Sequence, residues 1–276
     1  MTSGDRGSFA LSKHEAAGND FLVLLDAPGL VPPDATEVRA LCDRRRGVGA
    51  DGLILLSAGA GRADLAMALW NADGGPAETS GNGLRCAAQA AVGAGLVRPP
   101  RFRVATGAGV AMVDFEASAM PGSARATVDM GPVRLLGPGV TDPAGRPAQR
   151  ADVGNPHLVV RCEDPDQIDL ADMAARLATN FPEGINVEYV APGLRPDELV
   201  MRVWERGAGA TLACGSGSCA AAAVARAWGL VGDLVSVRNP GGTLEVSLGR
   251  KDGDPVLLGG PVRRVAEVLV ERSVLR

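Results

Sequence analysis

The sequence contains few aromatic residues, only two histidines and no cluster of basic residues. Aromatic side chains make up 3% of the 276 residues, so the core must be built mainly from Ala, Val and Leu. Because a nucleic-acid-binding face needs clustered Lys and Arg, and the formal net charge is −4, no nucleic-acid partner is expected. The two histidines, His14 and His157, are too few for a histidine-rich metal site.

Long apolar runs and recognisable cofactor motifs are also missing. No apolar run reaches the roughly 18 residues of a membrane span, and residues 1–12 lack the apolar region of a signal peptide. We therefore expect a cytoplasmic protein without a membrane partner. Neither a Walker-type phosphate loop nor a convincing dinucleotide-binding glycine motif occurs, so we expect neither a metal nor an organic cofactor.

Five cysteines are scattered along the chain, and none belongs to a CxxC pair. An odd, scattered set in a chain without a signal peptide argues against a disulfide framework. We expect Cys42, Cys86, Cys162 and Cys219 to be small buried side chains.

Four short motifs recur in the same order in the two halves of the chain. The clearest pair consists of the 18-residue stretches 80–97 and 214–231, which align without a gap. All four offsets lie between 134 and 137 residues, which indicates an internal duplication. The other repeated pairs are residues 18–23 and 154–159, 47–49 and 184–186, and 69–71 and 203–205.

The duplication predicts two pseudo-symmetric α+β domains, each a curved, mainly antiparallel sheet around one central helix. We assign residues 1–120, joined by the C-terminal segment 264–276, to the N-terminal half, and residues 121–263 to the C-terminal half. The Ala-rich runs Ala87–Ala94 and Ala220–Ala227 predict the buried central helices, since Ala is the best helix former. Further helices are predicted at Ala35–Arg45 and Asp169–Thr179. Short apolar runs predict strands at Phe21–Leu25, Leu53–Leu56, Leu65–Leu69, Ala126–Met130, Leu158–Arg161, Asn186–Val190, Val200–Trp204, Leu234–Val237 and Thr243–Leu248.

A small potential acid–base group precedes each central helix. Ser80 stands before Gly-Asn-Gly, and Cys214 stands before Gly-Ser-Gly. Free backbone N–H groups at a helix start bind anions well, so a carboxylate substrate suits both positions. A thiol there is expected to have a lowered pKa. Two such groups on opposite faces of one substrate carbon would invert its configuration, one removing the α-proton and the other delivering one.

These residues resemble the diaminopimelate epimerase family along nearly the whole chain. The resemblance implies a small-molecule substrate, LL- or meso-diaminopimelate, two catalytic cysteines, a role in lysine and peptidoglycan biosynthesis, and a homodimer. The matching motifs are residues 17–21, 46–52, 71–74, 81–86, 154–157, 186–188, 205–209 and 213–217.

The resemblance also assigns roles to individual positions. The catalytic set is Cys214, Ser80, His157 and Glu205, with His157 and Glu205 tuning the thiols. Arg206 suits a distal carboxylate because its guanidinium binds carboxylates with two hydrogen bonds. The substrate-binding set is Asn19, Asn71, Gly81, Asn82, Asn155, Asn186, Glu205, Arg206, Gly215 and Ser216.

Ser80 departs from the family pattern, which has a cysteine at this position. An alcohol is a far weaker acid than a thiol, so Ser80 would be a poor general base. Cys86 lies about 9 Å further along a helix that starts at the glycine turn, too far to replace it. Three explanations stay open: a natural slower variant, an engineered change, or a different reaction that needs one base.

Two alternatives to the epimerase follow from this departure. One is another enzyme of the same superfamily, such as a proline-type racemase, a histidine racemase or a hydroxyproline-type dehydratase. The other is an inactive paralogue that binds an amino acid. Substrate binding without turnover that persists in the Ser80→Cys variant would favour the paralogue.

Overall fold

A computed structural model describes residues 7–77, 80–177, 179–251 and 253–275. The chain divides into two compact units. Unit 1 comprises Met1–Val128 and Pro261–Arg276, and unit 2 comprises Asp129–Gly260. The sequence-based boundaries, at 120/121 and 263/264, lie eight and three residues away from these.

In unit 1 a sheet closes around one helix. Strand β16 pairs with β1 at the end of the strand order β1-β2-β3-β4-β5-β6-β7-β16, so this sheet has no free edge. Residues 81–91 of helix α2 are all buried, as expected for a helix enclosed by a sheet. The elements are β1 (Ser8–Ala16), β2 (Asn19–Leu25), α1 (Ala35–Cys42), β3 (Gly52–Ala58), β4 (Leu65–Asn71), α2 (Gly81–Gly93), β5 (Arg101–Thr106), β6 (Gly109–Ala117), β7 (Ser123–Asp129) and β16 (Leu257–Glu271), followed by a 3-10 turn (Arg272–Leu275).

Unit 2 repeats this plan with an open sheet. Its strands follow the order β8-β9-β10-β11-β12-β14-β15, with β13 beside β12 and the start of β16 beside β15. Residues 215–225 of helix α4 are all buried. The elements are β8 (Arg134–Thr141), β9 (Pro147–Asp152), β10 (Pro156–Arg161), a 3-10 turn (Pro165–Gln167), α3 (Leu170–Leu177), β11 (Asn186–Pro192), β12 (Glu198–Glu205), β13 (Gly209–Thr211), α4 (Gly215–Ala227), β14 (Leu234–Asn239) and β15 (Gly242–Ser247).

The strand directions show the duplication. Among the described strands, β2 is parallel to β3 and β4 to β5 in unit 1, while β10 is parallel to β11 and β12 to β14 in unit 2. A parallel pair needs a crossover connection, and helices α1, α2, α3 and α4 supply these four crossovers. The remaining described pairs are antiparallel. The predicted fold class, duplicated α+β domains with mainly antiparallel sheets around a central helix, is confirmed.

The predicted starts of the two central helices are wrong. Helix α2 begins at Gly81 and α4 at Gly215, about one and a half turns before the predicted starts at Ala87 and Ala220. The glycine-rich segments have low helix propensity, yet they form the first helical turn because a side chain caps each helix. In the described part of the chain no helix is long and apolar enough to cross a membrane.

The C-terminal segment is attached to helix α1. Arg272 Nε and Nη2 donate to the two carboxylate oxygens of Glu37 at 2.6 and 2.7 Å, and the guanidinium lies 4.8 Å from the ring centre of Phe9. Glu37 is 2% exposed and also caps the start of α1 with Asp34. This buried bidentate pair makes the last residues an integral part of unit 1.

Candidate active site

Ser80 and Cys214 occupy equivalent helix caps. Ser80 has backbone angles of −114° and 121°, and Cys214 has −121° and 121°. The Gly83 N–H donates to Ser80 Oγ at 3.0 Å, and the Gly217 N–H donates to Cys214 Sγ at 3.4 Å. The duplicated frame therefore presents an oxygen in unit 1 and a sulfur in unit 2 with the same backbone geometry.

The sulfur of Cys214 lies among polar groups, although the residue is only 5% exposed. Ser216 Oγ lies 3.5 Å from the sulfur. Glu205, at the end of β12, also hydrogen-bonds Cys214, and it accepts a hydrogen bond from the Thr211 hydroxyl on β13. Cys214, Ser216 and Glu205 are thus brought together as the sequence suggests.

The lowered pKa predicted for the thiol is wrong for this structure. Burial, and then the carboxylates of Glu205 and Glu188, raise the pKa of Cys214 well above its ordinary value. Hydrogen bonds with the Ser216 hydroxyl and the Gly217 amide lower the pKa of Cys214, but by less than burial and the two carboxylates raise it. Burial likewise raises the pKa of Glu205. Cys214 therefore rests as a neutral thiol next to a carboxyl group that can exchange a proton with it.

A hydrogen-bonded chain connects His157 with the sulfur of Cys214. His157 Nε2 lies 2.9 Å from Asn155 Oδ1, and Asn155 Nδ2 donates to Ser216 Oγ at 3.5 Å. On its other side, His157 Nδ1 lies 2.7 Å from Glu188 Oε1. His157 thus reaches the sulfur through Asn155 and Ser216.

Asn186 and Arg206 form a second contact in unit 2. Asn186 Nδ2 donates to the Pro156 carbonyl at 3.0 Å, and its Oδ1 accepts from the Arg206 backbone N–H at 2.9 Å. Gly184 has a φ of +74°, and a β-carbon there would lie 2.8 Å from Arg206 Cγ. The glycine therefore leaves room for the Arg206 stem beside Asn186, and the Arg206 residue is exposed.

In unit 1 the predicted binding residues Asn19, Gly81 and Asn82 are brought together. Asn82 Nδ2 donates to Asn19 Oδ1 at 3.3 Å, and the buried Arg85 donates to Asn82 Oδ1 at 2.6 Å and to the Gly81 carbonyl at 3.5 Å. Asn71 lies at the end of β4, at the position that Glu205 occupies on β12, and is exposed. The hydrogen bonds described for Asn71 are made by its backbone.

An ion cluster supports Asn19. Asp51 Oδ2 accepts from Asn19 Nδ2 at 2.7 Å, and Arg44 bridges Asp51 and Asp20 at 2.7 Å each. Burial alone would raise the pKa of Asp20, but hydrogen bonds from Arg44 and Lys13 outweigh it and lower the pKa to about 2. Asp20 is therefore a structural anion that anchors the start of β2.

The two units differ in the residues that face the helix caps. The positions on β2 and β3 that correspond to His157 and Glu188 hold Phe21 and Ile54. A β-carbon on Gly217 would lie 2.5 Å from Glu188 Oε1, whereas one on the equivalent Gly83 would lie 3.6 Å from Ile54 Cδ1. Unit 1 therefore has apolar side chains where unit 2 has an ionisable pair.

Glu188 and Thr211 were not predicted as site residues. Glu188 is fully buried within the strand Asn186–Pro192, whose other residues up to Ala191 are also buried. A carboxylate inside such an apolar run is the signal that could have identified it, because buried charges are found paired. Thr211 carries no comparable signal. Cys86 is fully buried in α2, whose cap is Ser80.

Comparison with known proteins identifies the family. The diaminopimelate epimerase family profile matches residues 11–136 and 150–265. The diaminopimelate epimerase of Thermobifida fusca is 41% identical over 96% of this chain and 99% of its own length, and that of a Cyanothece species is 37% identical over 94% and 98%.

Solved structures with lower identity share the fold. A hydroxyproline epimerase from Agrobacterium vitis, with bound trans-4-hydroxy-L-proline, superimposes with a TM-score of 0.74 at 18% identity over 98% of this chain and 94% of that one. A phenazine biosynthesis protein from Bacillus anthracis gives 0.71 at 15% identity over 95% and 99%. The sequence relatives are closer, and on their match the chain belongs to the diaminopimelate epimerase family, a family of isomerases.

Proposed function

We propose that this protein interconverts LL- and meso-diaminopimelate by proton transfer at the α-carbon, without a cofactor, in lysine and peptidoglycan biosynthesis. Membership of the family supports the substrate. The observation that carries the mechanism is Cys214, a thiol that caps a buried helix and hydrogen-bonds Glu205.

In this proposal the helix starts bind the substrate carboxylate and stabilise the carbanion. The first backbone N–H groups of an α-helix have no partner within the helix, and the helix dipole adds positive charge at that end. Donors aimed at the charge that develops during reaction lower the barrier most. The glycines after Cys214 and Ser80 allow a substrate to approach these N–H groups closely.

Cys214 serves one face of the α-carbon. Because the thiol is neutral at rest, it can donate a proton directly. To act as a base it first transfers its proton to Glu205, and the thiolate then removes the α-proton. The raised pKa of Glu205 makes this carboxyl group a better proton acceptor than an ordinary glutamate.

Ser80 serves the other face: we propose that its hydroxyl delivers a proton to the carbanion and takes a replacement proton from solvent, and that it removes an α-proton less readily. Phe21 and Ile54 stand at the positions equivalent to His157 and Glu188, so the ionisable pair of unit 2 has no counterpart that could activate the Ser80 hydroxyl as a base. The carbanion formed by Cys214 will therefore often be reprotonated by Cys214 itself. The expected signature is solvent exchange that runs faster than inversion, for only one of the two isomers.

Proton exchange in D₂O tests this directly. LL- and meso-diaminopimelate are incubated separately, and NMR follows the loss of the α-proton while chiral chromatography follows inversion. We expect both isomers to interconvert, with exchange faster than inversion for the isomer whose α-proton faces Cys214. The Cys214→Ala variant should do neither.

The same assay distinguishes the alternatives. If neither isomer shows exchange or inversion, and the Ser80→Cys variant shows none either, the proposal is contradicted. Exchange of trans-4-hydroxy-L-proline but not of diaminopimelate would indicate a different epimerase. Equal exchange and inversion rates for both isomers would support epimerisation but contradict the proposal that Ser80 is a poor base.

A further inference from the structure

Glu188 is a buried carboxylate beneath the first turn of helix α4. It is fully buried, and its Oε1 would touch a β-carbon placed on Gly217 at 2.5 Å. The same oxygen lies 2.7 Å from His157 Nδ1, and His157 is also fully buried. An isolated buried carboxylate is costly, so the charge of Glu188 requires a compensating partner.

Both ring nitrogens of His157 face acceptors. Nδ1 faces the carboxylate of Glu188, and Nε2 lies 2.9 Å from Asn155 Oδ1. The Asn155 amide has its oxygen toward the ring, and its Nδ2 donates to Ser216 Oγ at 3.5 Å. A neutral imidazole carries only one N–H, whereas an imidazolium carries two and satisfies both acceptors.

The second histidine of the chain has different partners. His14 Nδ1 lies 2.9 Å from Gln89 Oε1, and Nε2 lies 2.9 Å from the hydroxyl of Ser12. Neither partner carries a charge, and a hydroxyl can donate to an unprotonated nitrogen. Burial lowers the pKa of His14, so this ring is neutral at neutral pH. The two buried histidines thus differ chiefly in whether a carboxylate faces them.

We propose that Glu188 is a positioning residue that holds His157 as a fixed imidazolium and thereby orients Asn155 toward Ser216 and Cys214. In this state His157 has no free nitrogen lone pair and cannot act as a general base. It serves instead as a permanent double donor. The inference deepens the proposed function, because it assigns proton transfer in unit 2 to Cys214 and Glu205.

The charges around the ring are consistent with this assignment. Two carboxylates act on Cys214, Glu188 on β11 and Glu205 on β12, and His157 contacts Glu188 and acts electrostatically on Glu205. A cation in contact with one carboxylate and near a second is favourable where burial excludes water. It also lowers the pKa of Glu205, against the stronger effect of burial.

NMR of the wild-type protein tests the proposal without substrate. With ¹⁵N-labelled histidine the chain gives two ring spin systems, and the His14→Gln variant assigns them. At pH 7.5 we expect His157 to show two protonated ring nitrogens and His14 to show one. A neutral His157 in the folded wild-type protein would overturn the proposal, whether or not the protein turns over diaminopimelate.

Two variants then test the role of the carboxylate. Glu188→Gln should convert His157 to the neutral form at pH 7.5 and slow α-proton exchange about tenfold, since a hydrogen bond to a charged group is replaced by a neutral one. Glu198→Gln is the matched control, because Glu198 is a buried carboxylate of the same unit that binds Arg195 instead. It should leave the His157 spectrum unchanged. An imidazolium that persists in folded Glu188→Gln would also overturn the proposal.

Discussion

Exchanging serine and cysteine at the two helix caps tests the different proton-transfer roles proposed for Ser80 and Cys214. Ser80 and Cys214 have nearly the same backbone angles and accept from equivalent glycine N–H groups, so Ser80→Cys should place a sulfur in unit 1 as unit 2 already does. The cap distance should lengthen from 3.0 Å toward the 3.4 Å seen at Cys214.

The expected changes in stability and turnover follow from the two roles of the side-chain atom at position 80, which caps helix α2 and is proposed to transfer a proton. Serine is among the strongest N-caps, and loss of a good cap costs about 1 kcal/mol. For a domain of this size the melting temperature should fall by about 2–4 °C. A positioned acid–base group contributes about 10²–10⁴-fold to rate, so a better one at position 80 should raise turnover at least about tenfold.

The assay compares inversion rates and melting temperatures of the wild type, Ser80→Cys and Cys214→Ser. The reverse exchange should stabilise the α4 cap and abolish most inversion. Unchanged turnover in a folded Ser80→Cys protein would show that the hydroxyl does not limit the reaction. Inversion at the wild-type rate in Cys214→Ser would refute the acid–base role of the thiol.

Three further outcomes are expected from the buried polar contacts. Because burial lowers the pKa of His14 below the unfolded value of about 6.5, the unfolded chain binds the proton more tightly, and stability should fall as the pH drops below about 6.5. Melting curves of the wild type should show this slope and those of His14→Gln should lack it. Arg272→Ala leaves Glu37 buried without its bidentate partner and should cost about 3 kcal/mol in denaturant unfolding, part of which Glu37→Gln restores in the same background. Gly217→Ala should displace Glu188, whose Oε1 would lie 2.5 Å from the new β-carbon, and should reduce α-proton exchange at least about tenfold although alanine favours the helix; an unchanged rate would contradict the assigned contact.

The duplicated fold could be predicted because short segments of the sequence carry its signals. The stretches 80–97 and 214–231 align without a gap, and the helices formed from them run over equivalent residues, Gly81–Gly93 and Gly215–Ala227. The apolar runs placed most strands of the middle of each unit. The helix starts were missed because glycine propensity conceals a first turn that Ser80 and Cys214 stabilise by capping.

Contacts between distant segments could not be predicted in the same way. Strand β1 carries Lys13 and His14 and has a mixed pattern, so its place beside β16 depends on closure of the sheet. The resemblance pointed to Cys214 and His157, but no local pattern shows that Glu188 faces His157 from the neighbouring parallel strand. The thiol pKa was misjudged for the same reason, because it depends on carboxylates distant in the chain.

Equivalent positions of the two units carry side chains of different chemistry. His157, Glu188 and Glu205 in unit 2 correspond to an aromatic, an aliphatic and an amide side chain in unit 1. A buried ionisable group is stable only with partners, so unit 2 needs its whole hydrogen-bonded set together. At the three equivalent positions unit 1 has Phe21, Ile54 and Asn71, none of which can exchange a proton with the residue at its helix cap. A serine at position 80 is consistent with these neighbours from its own unit, because serine is the stronger helix cap.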